Sequence, residues 1–245
     1  MPSERVPTGI EGFDELCGGG LIRDSAYLLA GTSGSGKTLF GLQYLYNGAS
    51  LYGESGIFLA TEERPARVRK NALLFGWNFE ELENENKIAF IDASSAKIGM
   101  PSVEKYVDIR RFDMDSVVDQ IISIQDDINA TRAVIDSSTS ISYFIGDKAK
   151  MRVELLRLGA TLEVLGMTSL MVSEIIDSKI RGFGFESFVT DGVIILYNRR
   201  AENVRVRSLE IYKMRGSEHS NKVHPFDITK KGIVVHPKEE MYGEF

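Results

Sequence analysis

The sequence predicts an α/β protein with a RecA-like P-loop core: a mostly parallel twisted sheet flanked by helices, followed by a C-terminal antiparallel hairpin. Three observations carry the architecture. Short apolar runs alternate with segments of helical periodicity, the pattern of a sheet covered by helices. A glycine-rich loop joins the first strong strand to the first strong helix. Late in the chain the helical pattern stops, and two long strand patterns face each other across a short polar turn, a connection that only antiparallel strands permit.

The elements follow in order. Ser25 to Ala30 reads as the first strand, and Lys37 to about Tyr52 as the helix after the loop. Gly56 to Thr61 is a second strand. Pro65 opens a helix reaching about Trp77, with Val68, Ala72 and Phe75 on one face. Ile88 to Ile91 is a short strand. Asp113 to Asn129 is helical, with Val117, Ile121, Ile124 and Ile128 spaced for one apolar face. Arg132 to Asp136 is a buried strand ending in an acid. Lys148 to Leu165 is a helix with Leu155, Leu158, Leu162 and Leu165 inside, and Thr168 to Ser173 is another strand. Phe188 to Tyr197 and Val204 to Lys213 form the hairpin around a turn at Asn198 to Asn203; Val223 to Ile228 and Ile233 to Val235 add edge strands. Residues 1–236 are expected to form a single domain, and 237–245 a flexible tail.

Composition bounds the function. The chain has 245 residues, 43% hydrophobic and 26% charged, which suits a globular protein with a full core. No apolar run reaches the ~20 residues needed to cross a bilayer, so no membrane role is expected. The opening residues lack a basic-then-apolar signal pattern. One cysteine, Cys17, has no partner for an internal disulfide, and a reducing cytoplasmic compartment follows. With 29 basic and 35 acidic residues the net charge is -6, which argues against a protein built to coat nucleic acid.

The loop Gly31-Thr32-Ser33-Gly34-Ser35-Gly36-Lys37-Thr38 fits G-x-x-x-x-G-K-[ST] in full. A match arises by chance in on the order of one in a hundred chains this long. The apolar strand before it and the apolar helix after it set it apart from an ordinary glycine-rich turn. Glycines let the backbone curl so that several N–H groups meet phosphate oxygens, and the helix N-terminus adds its positive end. The expected cradle is Thr32, Ser33, Gly34, Ser35, Gly36, Lys37, Thr38 and Leu39. Lys37 reaches the β- and γ-phosphates of ATP, and the Thr38 hydroxyl binds Mg²⁺. Asp136, at the carboxyl end of its strand, is the candidate second Mg²⁺ ligand; its plainer role is to cap the turn that follows. Glu62 and Glu63 follow the strand ending at Thr61. Either carboxylate can polarise an attacking water. Equally, acids are favoured beside a helix N-terminus, and Glu63 precedes Arg67 by the four residues of a helical ion pair.

At this point a resemblance enters. Arg5-Val6-Pro7-Thr8-Gly9-Ile10-Glu11-Gly12-Phe13-Asp14-Glu15-Leu16, then Gly18-Gly19-Gly20 and the loop, resemble the opening of a domain of the circadian-clock ATPase family KaiC. Thr61-Glu62-Glu63 resembles its catalytic glutamates, and Ile135-Asp136-Ser137 its metal-binding strand end. Glu186-Ser187-Phe188-Val189-Thr190-Asp191 and Lys213-Met214-Arg215-Gly216-Ser217-Glu218-His219 resemble its later motifs. The likeness spans about residues 4 to 236 and fits the single-domain KaiC-like proteins of archaea, within the RecA superfamily. It implies a RecA-type core, a hexameric ring and ATP held between subunits. It implies Glu62 and Glu63 as catalysts. It also implies that Lys213 and Arg215 reach a neighbour's γ-phosphate, with His219 beside that nucleotide. By charge alone Lys213 and Arg215 read as a solvated strand end, or as partners of Glu210 or Glu218. The family's autokinase uses two adjacent hydroxyl residues; here Ser187 is followed by Phe188, which cannot accept a phosphate.

Two function classes follow. One is a Mg²⁺-dependent ATPase ring acting as a regulatory switch on an unidentified protein partner, in a slower form an autokinase acting near Ser187 and Thr190. The other is a RecA-like nucleic-acid machine, for which Asp177 to Phe185 supplies two cations and two aromatics. Two cations and an acidic balance favour the first.

Overall fold

The computed structural model describes residues 4–97, 99–107, 113–175 and 189–241. Its first elements are short: strands β1 (Arg5–Val6) and β2 (Leu21–Ile22) pair antiparallel around the four-residue helix α1 (Phe13–Leu16). Asp14 ties this arm, accepting from the backbone N–H groups of Thr8 and Gly9 at 3.0 Å each and from the Thr8 hydroxyl at 2.7 Å. Two-residue strands carry no periodicity, so the arm is not legible as strand and helix.

The main sheet begins with β3 (Ala26–Gly31), which leads through the glycine loop into α2 (Lys37–Leu51). β4 (Gly56–Ala60), α3 (Pro65–Leu73), α4 (Phe79–Asn84), β5 (Ile88–Asp92), α5 (Ser94–Lys97) and β6 (Tyr106–Val107) follow. Then come α6 (Met114–Ile128), β7 (Arg132–Asp136), α7 (Ser138–Ile145), α8 (Lys148–Val164) and β8 (Thr168–Glu174). The chain closes with β9 (Gly192–Ala201), β10 (Val204–Met214), β11 (His224–Thr229) and β12 (Gly232–Val235). Among the described residues the main sheet has ten strands, in the order β12-β11-β10-β9-β3-β8-β7-β4-β5-β6. From β9 to β6 all neighbours are parallel, and β10 to β12 are added antiparallel. The α/β class and the late switch to antiparallel pairing are as expected.

The central parallel strands β3, β4, β5, β7 and β8 are buried on both faces over nearly all their length, which is why they read as unbroken apolar runs. Alternation still sorts their side chains. Tyr27, Leu29 and Phe58 face α2 and the N-terminal arm, whereas Leu28, Ile57 and Leu59 join the apolar stripe of α6 and α8. Asp113 caps α6 and Asp147 caps α8 through their carboxylates.

Several boundaries differ from the expectation. The helix from Pro65 ends at Leu73, because Gly76 turns left-handed at φ 81° and Asn78 caps a second helix. Trp77 instead stacks between Phe75 and Tyr46. The hairpin turn is shorter than Asn198 to Asn203: the ladder continues to the pair Ala201 and Val204, and Glu202 takes the left-handed conformation the tight turn needs. α7 is absent from the sequence reading, since its opening run of serines and threonine favours caps and turns. Residues 237–241, expected to belong to a flexible tail, are hydrogen-bonded to the body: Met241 N–H donates to Val223 O (2.9 Å), His224 Nδ1 meets Glu239 O (2.8 Å), and Lys222 pairs with Glu240.

Candidate nucleotide site

Four parallel strands bring their last residues to one edge of the sheet. Gly31 of β3 pairs with Glu174 of β8, and Ala60 of β4 pairs with Asp136 of β7. The loops beyond these ends line an open cleft of about 390 Å³, of ordinary size for a small-molecule site. Ser33, Gly34, Gly36, Lys37, Thr38, Leu39, Glu62, Glu63, Asp136, Ser137 and Glu174 all contribute to it. The sequence-predicted loop, metal and glutamate residues therefore meet in one place.

The loop curls because Gly34 (φ 73°) and Gly36 (φ 103°) occupy the left-handed region. α2 starts at Lys37, aiming its unpaired N–H groups at the cleft. The hairpin braces the loop, with Asn198 Nδ2 donating to Gly34 O at 3.1 Å. The Thr32 and Ser35 hydroxyls are buried, and among the described residues neither has a hydrogen-bond partner. Lys37 Nζ donates to the carbonyls of Gly31 and Thr32, both at 2.9 Å. Burial lowers the Lys37 pKa, against the opposing pull of Glu174, Asp136 and Glu62.

Thr38 Oγ1 donates to Asp136 Oδ2 at 2.7 Å. Burial pushes the Asp136 carboxyl up to about 6; the Thr38 hydrogen bond opposes this and the charge of Glu62 adds to it. A buried, partly uncompensated carboxylate beside a hydroxyl is a hard-oxygen pair that a cation would relieve. Among the described residues no cluster of three metal-ligating side chains exists. Mg²⁺ takes one or two protein oxygens and completes its shell with phosphate and water, and the Thr38–Asp136 pair offers oxygens of that kind.

Glu62 and Glu63 are adjacent but differently held. Ser137 Oγ (2.5 Å) and Ser140 Oγ (3.0 Å) both donate to Glu62 Oε1, and Ser140 N–H donates to Ser137 Oγ at 3.2 Å. Glu63 lies 3.7 Å from Arg67, the helical ion pair that its spacing allowed.

Lys213 and Arg215 lie elsewhere. β10 runs antiparallel to β9, so Lys213 pairs with Val193, which pairs with Leu28, while Arg215 N–H donates to Asp191 O. At roughly 3.3 Å per residue, Arg215 is about 16 Å below the Gly31 end of β3 and two strands, about 10 Å, to the side. Neither reaches the loop of its own chain. Lys213 Nζ donates to Thr190 O at 2.6 Å, and its pKa is lowered by burial and by Arg215. Arg215 sits 3.9 Å from Asp191, in place of the acids at 210 and 218 that the sequence offered. Glu210 instead pairs with Tyr197. His219 Nδ1 meets Ser220 O at 2.9 Å. Ser187, Phe188 and the loop Asp177 to Phe185 lie outside the described residues; Thr190 is fully buried.

Sequence reasoning missed Ser137, Ser140, Asn198 and Glu174. The serines had a signal, since their three-residue spacing after Asp136 puts both on one helical face. Glu174 had the same signal as Asp136, an acid ending an apolar strand. Asn198 had none, because its contact depends on where the hairpin docks.

The chain's likeness to known proteins follows this geometry. The family described as "ATPase: KaiC" matches residues 6–240. The chain is 41% identical over 236 residues to "UPF0273 protein PF1931" of Pyrococcus furiosus, covering 95% of this chain and 94% of that one. It is 37% identical over 239 residues to "Circadian clock oscillator protein KaiC" of Prochlorococcus marinus. It covers 47% of that protein, and so spans about half the length of the clock proteins it matches. The crystal structure of the KaiC-like protein PH0186 from Pyrococcus horikoshii superposes with a TM-score of 0.84 at 40% identity, over 96% of this chain and all of that one. With its RecA-type P-loop fold, this chain belongs to the KaiC-like ATPase family.

Proposed function

We propose that the chain binds ATP with Mg²⁺ and hydrolyses it at sites shared between copies in a ring, hexameric as its family implies, and that the cycle switches a protein partner. The observation that carries the chemistry is the meeting of Lys37, the Thr38–Asp136 pair and the serine-held Glu62 in one cleft. Loop N–H groups and Lys37 would bind the phosphates, and Thr38 and Asp136 would hold the metal, which supplies charge neutralisation there. Glu62 is the better base of the pair. Its Oε1 is fixed by two hydroxyls, leaving Oε2 to orient and deprotonate water, whereas Glu63 is turned to Arg67.

The sharing between copies rests on the two edges of the sheet. The loop is at one, and Lys213 and Arg215 are at the other. If these cations act on a phosphate, they act on a neighbour's. A cation of this kind contributes roughly 10³–10⁵ in rate where it has been measured. Two inactive chains should then rescue each other. Mixing Lys37→Ala with Arg215→Ala creates interfaces with an intact loop on one side and an intact cation pair on the other. Recovered ATPase activity is the expected result. No recovery, once labelled chains confirm subunit exchange, would remove the shared site.

A further inference from the structure

The cleft proposed to hold ATP is acidic. One lysine, Lys37, faces the carboxylates of Glu62, Glu63, Asp136 and Glu174. Three of these have other attachments: Asp136 to Thr38, Glu62 to Ser137 and Ser140, and Glu63 to Arg67. Glu174 differs in both position and surroundings.

β8 is buried from Thr168 to Ser173 and ends in the exposed Glu174, the one residue of the strand turned to solvent. The backbone there is fixed on both sides. Glu174 N–H donates to Thr139 Oγ1 at 2.9 Å, and Ile175 N–H donates to Gly31 O at 3.0 Å. Gly31 O is also an acceptor for Lys37 Nζ, at 2.9 Å. The lysine head and the peptide that follows Glu174 thus converge on a single carbonyl. Among the charges that favour the ammonium form of Lys37, Glu174 comes first, ahead of Asp136 and Glu62.

From this arrangement we infer that Glu174 competes with the nucleotide's phosphates for Lys37 and sets the cleft's preference for metal-bound over metal-free nucleotide. The inference rests on the reading of the cleft as a nucleotide site. A phosphate approaching the loop must draw Lys37 away from Gly31 O, and it meets Glu174 as a like charge beside the lysine. A nucleotide that arrives with a divalent cation carries less net negative charge and is repelled less. One that arrives without it meets the full opposition. The acid therefore acts as a filter on the charge of the ligand, in the manner of designed repulsion against a wrong partner.

The test is equilibrium binding of a fluorescent ATP analogue and of ADP to the full chain, with Mg²⁺ and with excess chelator. Wild type is compared with Glu174→Gln and with Glu163→Gln. Glu163 is exposed on α8, near the opposite end of β8, and its change to glutamine removes the same unit of charge. Glu174→Gln should bind metal-free nucleotide roughly three- to tenfold more tightly, as a neighbouring charge in partly screened surroundings dictates. It should narrow the gap between metal-bound and metal-free nucleotide by a similar factor, and Glu163→Gln should leave that gap unchanged. Unaltered or weakened metal-free binding in Glu174→Gln, or the same gain in Glu163→Gln, overturns the filter. Failure of the wild type to bind nucleotide under either condition would instead overturn the nucleotide reading, so the two failures are distinct.

Discussion

The two ends of β7 carry opposite treatments of charge. At its first residue, Arg132 is fully buried and every part of its guanidinium is engaged. Nε and Nη2 donate to Glu54 (2.7 and 2.5 Å), Nη1 to Tyr44 O (3.0 Å), and Nη2 also to Pro7 O (2.8 Å). The group lies 4.6 Å from the Tyr44 ring and 5.5 Å from that of Tyr52. Four residues later Asp136 is also buried, but its environment raises its pKa, chiefly by burial and further by Glu62. Arg132 is matched by an opposite charge, whereas Asp136 has a neutral hydroxyl and no salt bridge among the described residues, as the proposed metal site requires.

Breaking that contrast should give the largest effect first. Arg132→Met strips Glu54 of its bidentate partner, leaving it the longer pair with Arg23 at 3.3 Å, and removes the tie to Pro7 O; it should cost about 3–5 kcal/mol of stability in urea unfolding. Asp136→Asn, measured in chelator, should keep wild-type stability or exceed it, because the amide still accepts from Thr38 without a buried charge. A loss comparable to that of Arg132→Met would mean that both ends of the strand serve structure. With Mg²⁺ restored, Asp136→Asn should need a higher metal concentration for activity.

The next effect separates the two glutamates. Glu62→Gln should lower turnover about 10²-fold or more while nucleotide affinity persists, the usual scale for loss of a general base. Glu63→Gln should lower it less than about tenfold. Equal losses would erase the distinction drawn from their hydrogen bonds. Smallest of all, Ser140→Ala removes one of the two hydroxyls on Glu62 and should reduce kcat by about fivefold, roughly 1 kcal/mol and the worth of one ordinary hydrogen bond, because Ser137 still holds the carboxylate, with KM nearly unchanged. A change in KM alone would assign Ser140 to binding instead.

Much of the fold and of the site is legible in the amino-acid sequence alone. The loop, Asp136 and the glutamates sit at the ends of apolar runs, and in a parallel sheet such ends must share an edge. The α6 stripe and both late strands are likewise carried by periodicity. Other features are not readable, for identifiable reasons. The break after Leu73 depends on one glycine and one cap inside an otherwise helical pattern. The Ser137–Ser140 brace follows from a serine-rich helix that local preference disguises. The position of Lys213 and Arg215 relative to the loop comes only from the direction of β10. A sequence can show two cations on a strand, but it does not say at which edge that strand ends.

That direction has a consequence for symmetry. On the proposed function, a loop and a cation pair on opposite edges of one sheet cannot both meet the same neighbour, so a two-fold pair, in which every contact is repeated, would complete neither site. The proposed shared site therefore calls for heterologous association, each copy passing the contact on to the next. An open chain of copies then always has one loop lacking its cations and one cation pair lacking its loop. Only closure unites those two ends, which makes activity per protomer a direct reading of whether the assembly has closed.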